Sequence, residues 1–108
     1  MNHIKTGAVH HLNSREFQLK QTANPNAVIL DVRTPSEFLG GKIPGAININ
    51  VMDVSFMQKI STLDKSKVYF VYCLSGARSN QACAMMANIG FEVYNLTQGI
   101  SGWTGEIC

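Results

Sequence analysis

Cys73 follows an unbroken apolar run, Val68-Tyr69-Phe70-Val71-Tyr72, and precedes Leu74-Ser75-Gly76-Ala77-Arg78-Ser79, which opens into a segment rich in Ala and Met. The run reads as a buried strand and the segment as a helix, so the thiol is expected at the mouth of a strand-loop-helix turn. Backbone N–H groups of such a loop can converge on one point, and the positive end of the following helix adds to them. Arg78 is expected to close the ring, or else to stand as a solvated charge or structural salt bridge at the helix end. A sulfur held there should ionise below the free value of about 8.5 and act as a nucleophile. Gly76 lets the backbone turn its N–H inward with no Cβ in the way. Ser75 and Ser79 offer hydroxyl donors, although both are equally at home as helix caps.

The spacing between thiol and guanidinium bears on what the loop can hold. A cradle that wraps three phosphoryl oxygens and brings an Arg onto two of them carries Cys-x5-Arg, as in phosphotyrosine-type phosphatases. Here the spacing is Cys73-x4-Arg78, one residue shorter. The tighter ring suits one extra atom on the cysteine, a terminal persulfide sulfur, better than a tetrahedral phosphoryl group. In this the loop resembles that of the rhodanese-like sulfurtransferases.

The resemblance extends along nearly the whole chain. Asp31-Val32-Arg33-Thr34-Pro35-Ser36-Glu37-Phe38, leading to Gly41-Lys42-Ile43-Pro44-Gly45-Ala46-Ile47-Asn48-Ile49, is similar to the first signature of that family. Gly99-Ile100-Ser101-Gly102-Trp103 is similar to its C-terminal element. Lys42 stands where the family usually has His, and Gln98 where it usually has the first Gly of a pair. The resemblance implies an α/β fold of three layers, α/β/α, around a mostly parallel five-stranded sheet. It also implies sulfur transfer through a Cys73 persulfide, with no metal or organic cofactor.

The elements needed to position such a loop are visible in the chain. Ala27 to Val32 and Val68 to Tyr72 are apolar runs of the kind found in strands covered on both faces. Shorter strands are expected at Ala46 to Ile49 and Glu92 to Leu96. Asn13-Ser14-Arg15-Glu16 and Thr34-Pro35-Ser36-Glu37 are capping boxes, the first with Leu12 and Phe17 at staple positions and the second with Pro at N1. The helix after the loop should end at Gly90, with Phe91 folding back. Strands alternating with helices imply parallel pairing with crossover helices, which puts the site at the carboxyl ends of the strands.

Other chemically capable residues fit plainer roles. Asp31, Arg33 and Glu37 are read first as scaffold: Glu37 is a capping-box partner, and Arg33 is close enough to pair with it or with Asp31. They remain secondary candidates for the site, as does Lys42, which could draw an anionic donor to the mouth, and Trp103, which is expected to pack over the sheet near the entrance. Cys83, among Ala82, Ala84 and Ala87, is expected to be buried and inert. Cys108, at the chain end, is either idle or a resolving thiol. His3, His10 and His11 have no metal-ligand spacing with any Cys or carboxylate.

Length and composition bound the rest. The 108 residues, 45% of them apolar, suit one domain spanning 1–108. Net charge is +2 with no Lys/Arg cluster, which gives nucleic-acid binding no support. No apolar run reaches the roughly 20 residues of a membrane span, and no secretory leader is read at the N-terminus. The expectation is a cytoplasmic monomer or weak dimer with free thiols. Its reaction would take sulfane sulfur from a small anionic donor such as thiosulfate and pass it to cyanide, a thiol or a protein cysteine. Two alternatives stand beside it: phosphatase or arsenate-reductase chemistry on the same scaffold, and a binding module without turnover.

Overall fold

The computed structural model describes residues 6–108, so His3 and the start of the segment read for a leader lie outside the described residues. The elements in chain order are strand β1 (Val9–Leu12), helix α1 (Ser14–Ala23), β2 (Ala27–Asp31), α2 (Pro35–Leu39), β3 (Ile47–Asn48), α3 (Phe56–Ile60), β4 (Val68–Tyr72), α4 (Ala77–Asn88) and β5 (Glu92–Leu96), followed by a 3-10 turn at Ile100–Gly102. The sheet order is β1-β5-β4-β2-β3. The sequence predicts a mostly parallel sheet, and in the structure every pairing is parallel.

β4 lies at the centre, between β5 and β2, and its side chains alternate between two cores. Tyr69, Val71 and Cys73 join Phe56, Ile60, Ala82, Cys83 and Met86 on the face covered by α3 and α4. Phe70 and Tyr72 join Leu12, Phe17 and Leu96 on the α1 face, with Phe38 and Trp103 packed against them. Burial on both faces is why β2 and β4 read as continuous rather than alternating apolar runs. Each large side chain buried this way contributes roughly 1.5–3 kcal/mol.

The helix ends follow local chemistry. In α1 the Asn13 side chain accepts from the Glu16 N–H at 2.9 Å while Glu16 accepts from the Asn13 N–H at 3.0 Å, and Leu12 and Phe17 are buried in one cluster. Thr34 and Glu37 form the same reciprocal box at α2, with Pro35 in the first turn. At the end of α4 the Phe91 N–H donates to the Met86 carbonyl and the Gly90 N–H to that of Ala87. Gly90 has φ of +99°, so the termination is a Schellman motif.

Two elements have little signal in the sequence. β1 carries two His in its four residues and is an edge strand, recruited by pairing Val9 to Leu12 with Val93 to Leu96. α3 is only five residues long, and Phe56 and Ile60 anchor it to the core. Among the described residues, no helix is long and apolar enough to cross a membrane.

Candidate active site

The chain leaves β2 for the outer strand β3 and leaves β4 for β5 on the other side, so the strand order reverses between β2 and β4. Such a reversal opens a crevice at the carboxyl ends of the strands, where α/β proteins place their sites. Cys73 sits there, at the end of β4, and is 1% exposed. The Gly76 N–H donates to Sγ at 3.0 Å, and the Ser79 hydroxyl lies 3.4 Å from it. Burial pushes the Cys73 thiol up. Hydrogen bonds from the Ser79 side chain and from the backbone of Ser79, Gly76 and Ser75 outweigh that and hold it below its ordinary value.

The loop is held open toward the sulfur from behind. The Ile100 N–H donates to the Cys73 carbonyl at 2.9 Å and the Ser101 N–H to the Leu74 carbonyl at 3.0 Å. With those carbonyls tied to the 3-10 turn, the loop's N–H groups turn inward. Gly76 has φ of +107°, and a Cβ there would fall 2.1 Å from the Thr97 carbonyl oxygen. Gly99 is under the same constraint: a Cβ on it would meet the Leu74 oxygen at 2.3 Å. Ser79, fully buried in the first turn of α4, also donates to the Gly76 carbonyl at 3.2 Å. Ala77 is the exposed first residue of that helix, and Leu74 is half-exposed beside the thiol.

Arg78 does not close the ring around sulfur. Its guanidinium turns to Glu37 in a bidentate pair of 2.7 and 2.9 Å. That carboxylate is already fixed by the Thr34 cap, so two planar groups meet with little left to order. The bond to Arg78 holds Glu37 at about 2 despite partial burial. Arg78 is raised chiefly by its hydrogen bond to Glu37, with the Cys73 charge a smaller influence. Glu37 is therefore more than a cap. It ties α2 to the cysteine loop, a contact between residues 41 positions apart that local reading could not reach.

The remaining candidates lie away from the sulfur, and among the described residues none has a hydrogen bond or ion pair to Cys73. Arg33 and Asp31 form a buried pair of 2.7 Å, and Arg33 also donates to the Gly41 carbonyl. Lys42 places its ammonium 4.8 Å over the Phe38 ring, and its backbone exchanges hydrogen bonds with Cys108. Trp103 packs edge-on against Phe17 at 5.7 Å and donates to the Glu106 carbonyl, so it covers α1 rather than the entrance. Cys83 is buried below Ser79 on α4, and desolvation together with the Cys73 charge pushes its thiol up to about 12. The His10 ring stacks on Tyr94 and meets Glu92 at 3.2 Å. A cavity of about 210 Å³ runs between Gln18, Gln21, Ile43 and Trp103, apart from the cysteine loop.

Fold and site together define a class: a parallel α/β domain holding a low-pKa thiol in a loop of backbone donors at the sheet's carboxyl edge. The Rhodanese-like domain family model matches residues 13–106, and the chain belongs to that family. It is 34% identical to a Bacillus subtilis protein named as a candidate sulfurtransferase, YtwF, over 88% of this chain and 90% of that one. It is 32% identical to a sulfurtransferase of Allochromatium vinosum, over 88% of both. A rhodanese-related protein of Thermoplasma volcanium superposes with a TM-score of 0.82 at 26% identity, over 92% of this chain and 97% of that one. These relatives support a sulfurtransferase.

Proposed function

We propose that the protein transfers sulfane sulfur by a two-step, ping-pong reaction through Cys73. The thiolate attacks the outer sulfur of a donor such as thiosulfate, a new S–S bond forms, and the donor's S–S bond breaks with its electron pair leaving on sulfite. The product is Cys73–S–S⁻, with total charge conserved. The terminal sulfur sits where the Gly76 N–H and its neighbours point, so donors aligned beforehand stabilise the anion as an oxyanion hole stabilises an alkoxide. In the second step an acceptor thiolate or cyanide attacks the terminal sulfur and the electron pair returns to Cys73. Neither step calls on a general base, because the loop's hydrogen bonds favour the ionised form of the nucleophile.

The observation that carries this reading is the thiol itself. It is nearly inaccessible, yet it is held below its ordinary pKa by a loop one residue shorter than the Cys-x5-Arg of a phosphoryl cradle. Arg78 adds to the distinction, since a guanidinium committed to Glu37 is not available to clasp two phosphoryl oxygens. Parallel assays of thiosulfate-to-cyanide transfer and of aryl-phosphate hydrolysis test it. Sulfur transfer without hydrolysis is the expected result, and hydrolysis without a persulfide would replace this reading with a phosphatase.

A further inference from the structure

Two ion pairs stand at the carboxyl edge of the sheet, and each is closed on itself. Arg78 is held by Glu37 through hydrogen bonds of 2.7 and 2.9 Å. Arg33 is held by Asp31, which accepts from both its Nε and its Nη2, and that pair is buried. The Arg78–Glu37 pair is not: its side chains are 26% and 29% exposed, and Arg78 belongs to the loop that carries the nucleophile. Of the remaining cations, Lys59 is paired with Asp53, Lys42 stands over Phe38 on the opposite core, and Lys65 over Phe91. Among the described residues, no other Lys or Arg hydrogen-bonds to residues 73–79.

Arg78 and Glu37 cancel, as do Arg33 and Asp31, so the Cys73 thiolate is left as one uncompensated negative charge at the mouth. Glu37 is held at about 2, so the cancellation persists through the neutral range. The loop's N–H groups serve the reacting sulfur, which every sulfane donor shares. What separates donors electrostatically is the charge that the rest of the molecule brings to this mouth. Thiosulfate brings two negative charges to it. A sulfane donor with an organic group in place of one oxyanion brings one.

We infer that Glu37 sets donor specificity by neutralising Arg78, so that the protein favours sulfane donors carrying one negative charge over dianionic thiosulfate. The inference rests on the sulfurtransferase reading and names its donor class. With methanethiosulfonate as the donor, the Cys73 thiolate attacks the outer sulfur and a new S–S bond forms. The donor's S–S bond breaks, and its electron pair leaves on methanesulfinate. Two negative charges stand on each side of that step, against three when thiosulfate gives sulfite. Glu37 has no hydrogen bond to Cys73 and acts through Arg78.

The test times the gain of one sulfur on Cys73 by intact mass, from thiosulfate and separately from methanethiosulfonate. The ratio of the two rates is compared between proteins, so that changes in thiol acidity or in the folded fraction cancel. Glu37→Gln keeps the capping-box acceptor and releases the Arg78 charge. It should raise the thiosulfate-to-methanethiosulfonate ratio about threefold at ~0.01 M ionic strength, and Arg78→Gln, which leaves Glu37 uncompensated, should lower it about threefold. Damage to the loop alone would move both variants in the same direction. Salt gives a second reading that needs no variant. Wild-type loading from thiosulfate should rise with ionic strength more steeply than loading from methanethiosulfonate, because screening relieves twice the repulsion, and Glu37→Gln should level the two. An unchanged ratio in the variants, a shift of both in one direction, or equal salt slopes for the two donors in wild type overturns the inference. If neither donor loads Cys73, the sulfurtransferase reading fails first, whereas loading from both with an unmoved ratio removes only the role of Glu37.

Discussion

Replacing Ser79 with Ala isolates the part of the cradle that a side chain supplies. In the thiol form Cys73 donates to the Ser79 oxygen, and the Ser79 hydroxyl donates to the Gly76 carbonyl. Once the sulfur is ionised it has no proton to give, so the hydroxyl has to turn and donate to it. A hydrogen bond to a charged group is worth about 1.5–3 kcal/mol, and the abandoned bond to Gly76 returns about 1 kcal/mol of that. The net, about 0.5–2 kcal/mol, raises the Cys73 pKa by about one unit at 1.36 kcal/mol per unit. Iodoacetamide alkylation of the Cys73 peptide, followed by mass spectrometry across pH, reads the shift directly. Exposed Cys108 serves as a control in the same molecule, while Cys83, buried and held up to about 12, stays silent. At a pH below both midpoints Ser79→Ala should react about tenfold more slowly at Cys73, and Ser79→Thr should keep most of the wild-type rate. Superimposable profiles for wild type and Ser79→Ala, with both proteins folded, would refute the side-chain donor and leave the backbone alone to hold the thiolate.

Glu37 provides a pH signature. Its folded pKa, about 2, lies below the ordinary 4.5, so its contribution to stability is full above about 4.5 and is lost as pH falls toward 2. Because the pair is partly solvated, that contribution is about 1–2 kcal/mol. Urea midpoints should drop between pH 5 and 3 more steeply in wild type than in Glu37→Gln, which starts lower and stays flatter, and parallel curves would remove the pair from the account. Gly76→Ala combines a strained backbone with a Cβ 2.1 Å from the Thr97 carbonyl oxygen. It should lower stability by about 1–3 kcal/mol or more and abolish sulfur loading, so a variant with wild-type stability and loading would contradict the loop geometry.

How much of this was legible depended on how local each interaction is. The capping boxes at Asn13 and Thr34 and the Gly90–Phe91 stop were readable because every atom involved lies within a few residues. β2 and β4 were readable because burial on both faces leaves an uninterrupted apolar run. β1 was not: its pattern, Val-His-His-Leu, carries little apolar signal, and β5 supplies the template by pairing. The same limit applies within the site. Position and spacing brought Cys73, Gly76 and Ser79 together because one turn of chain contains them. Ring closure by Arg78 was not observed, since its partner Glu37 comes from a different helix and proximity in sequence offered Glu37 only its capping box and Arg33. Gly99 was seen as part of a motif, but its close approach to Leu74 behind the loop requires the folded chain.

The central claim is that Cys73 carries the transferred sulfur. Intact-mass measurement of the reduced protein after thiosulfate treatment, with peptide mapping, tests it most directly. One added sulfur atom should appear on wild type, map to Cys73, disappear on addition of cyanide, and be absent from Cys73→Ser. Sulfur retained in Cys73→Ser, or mapped to Cys83 or Cys108 while Cys73 stays unmodified, would contradict the account.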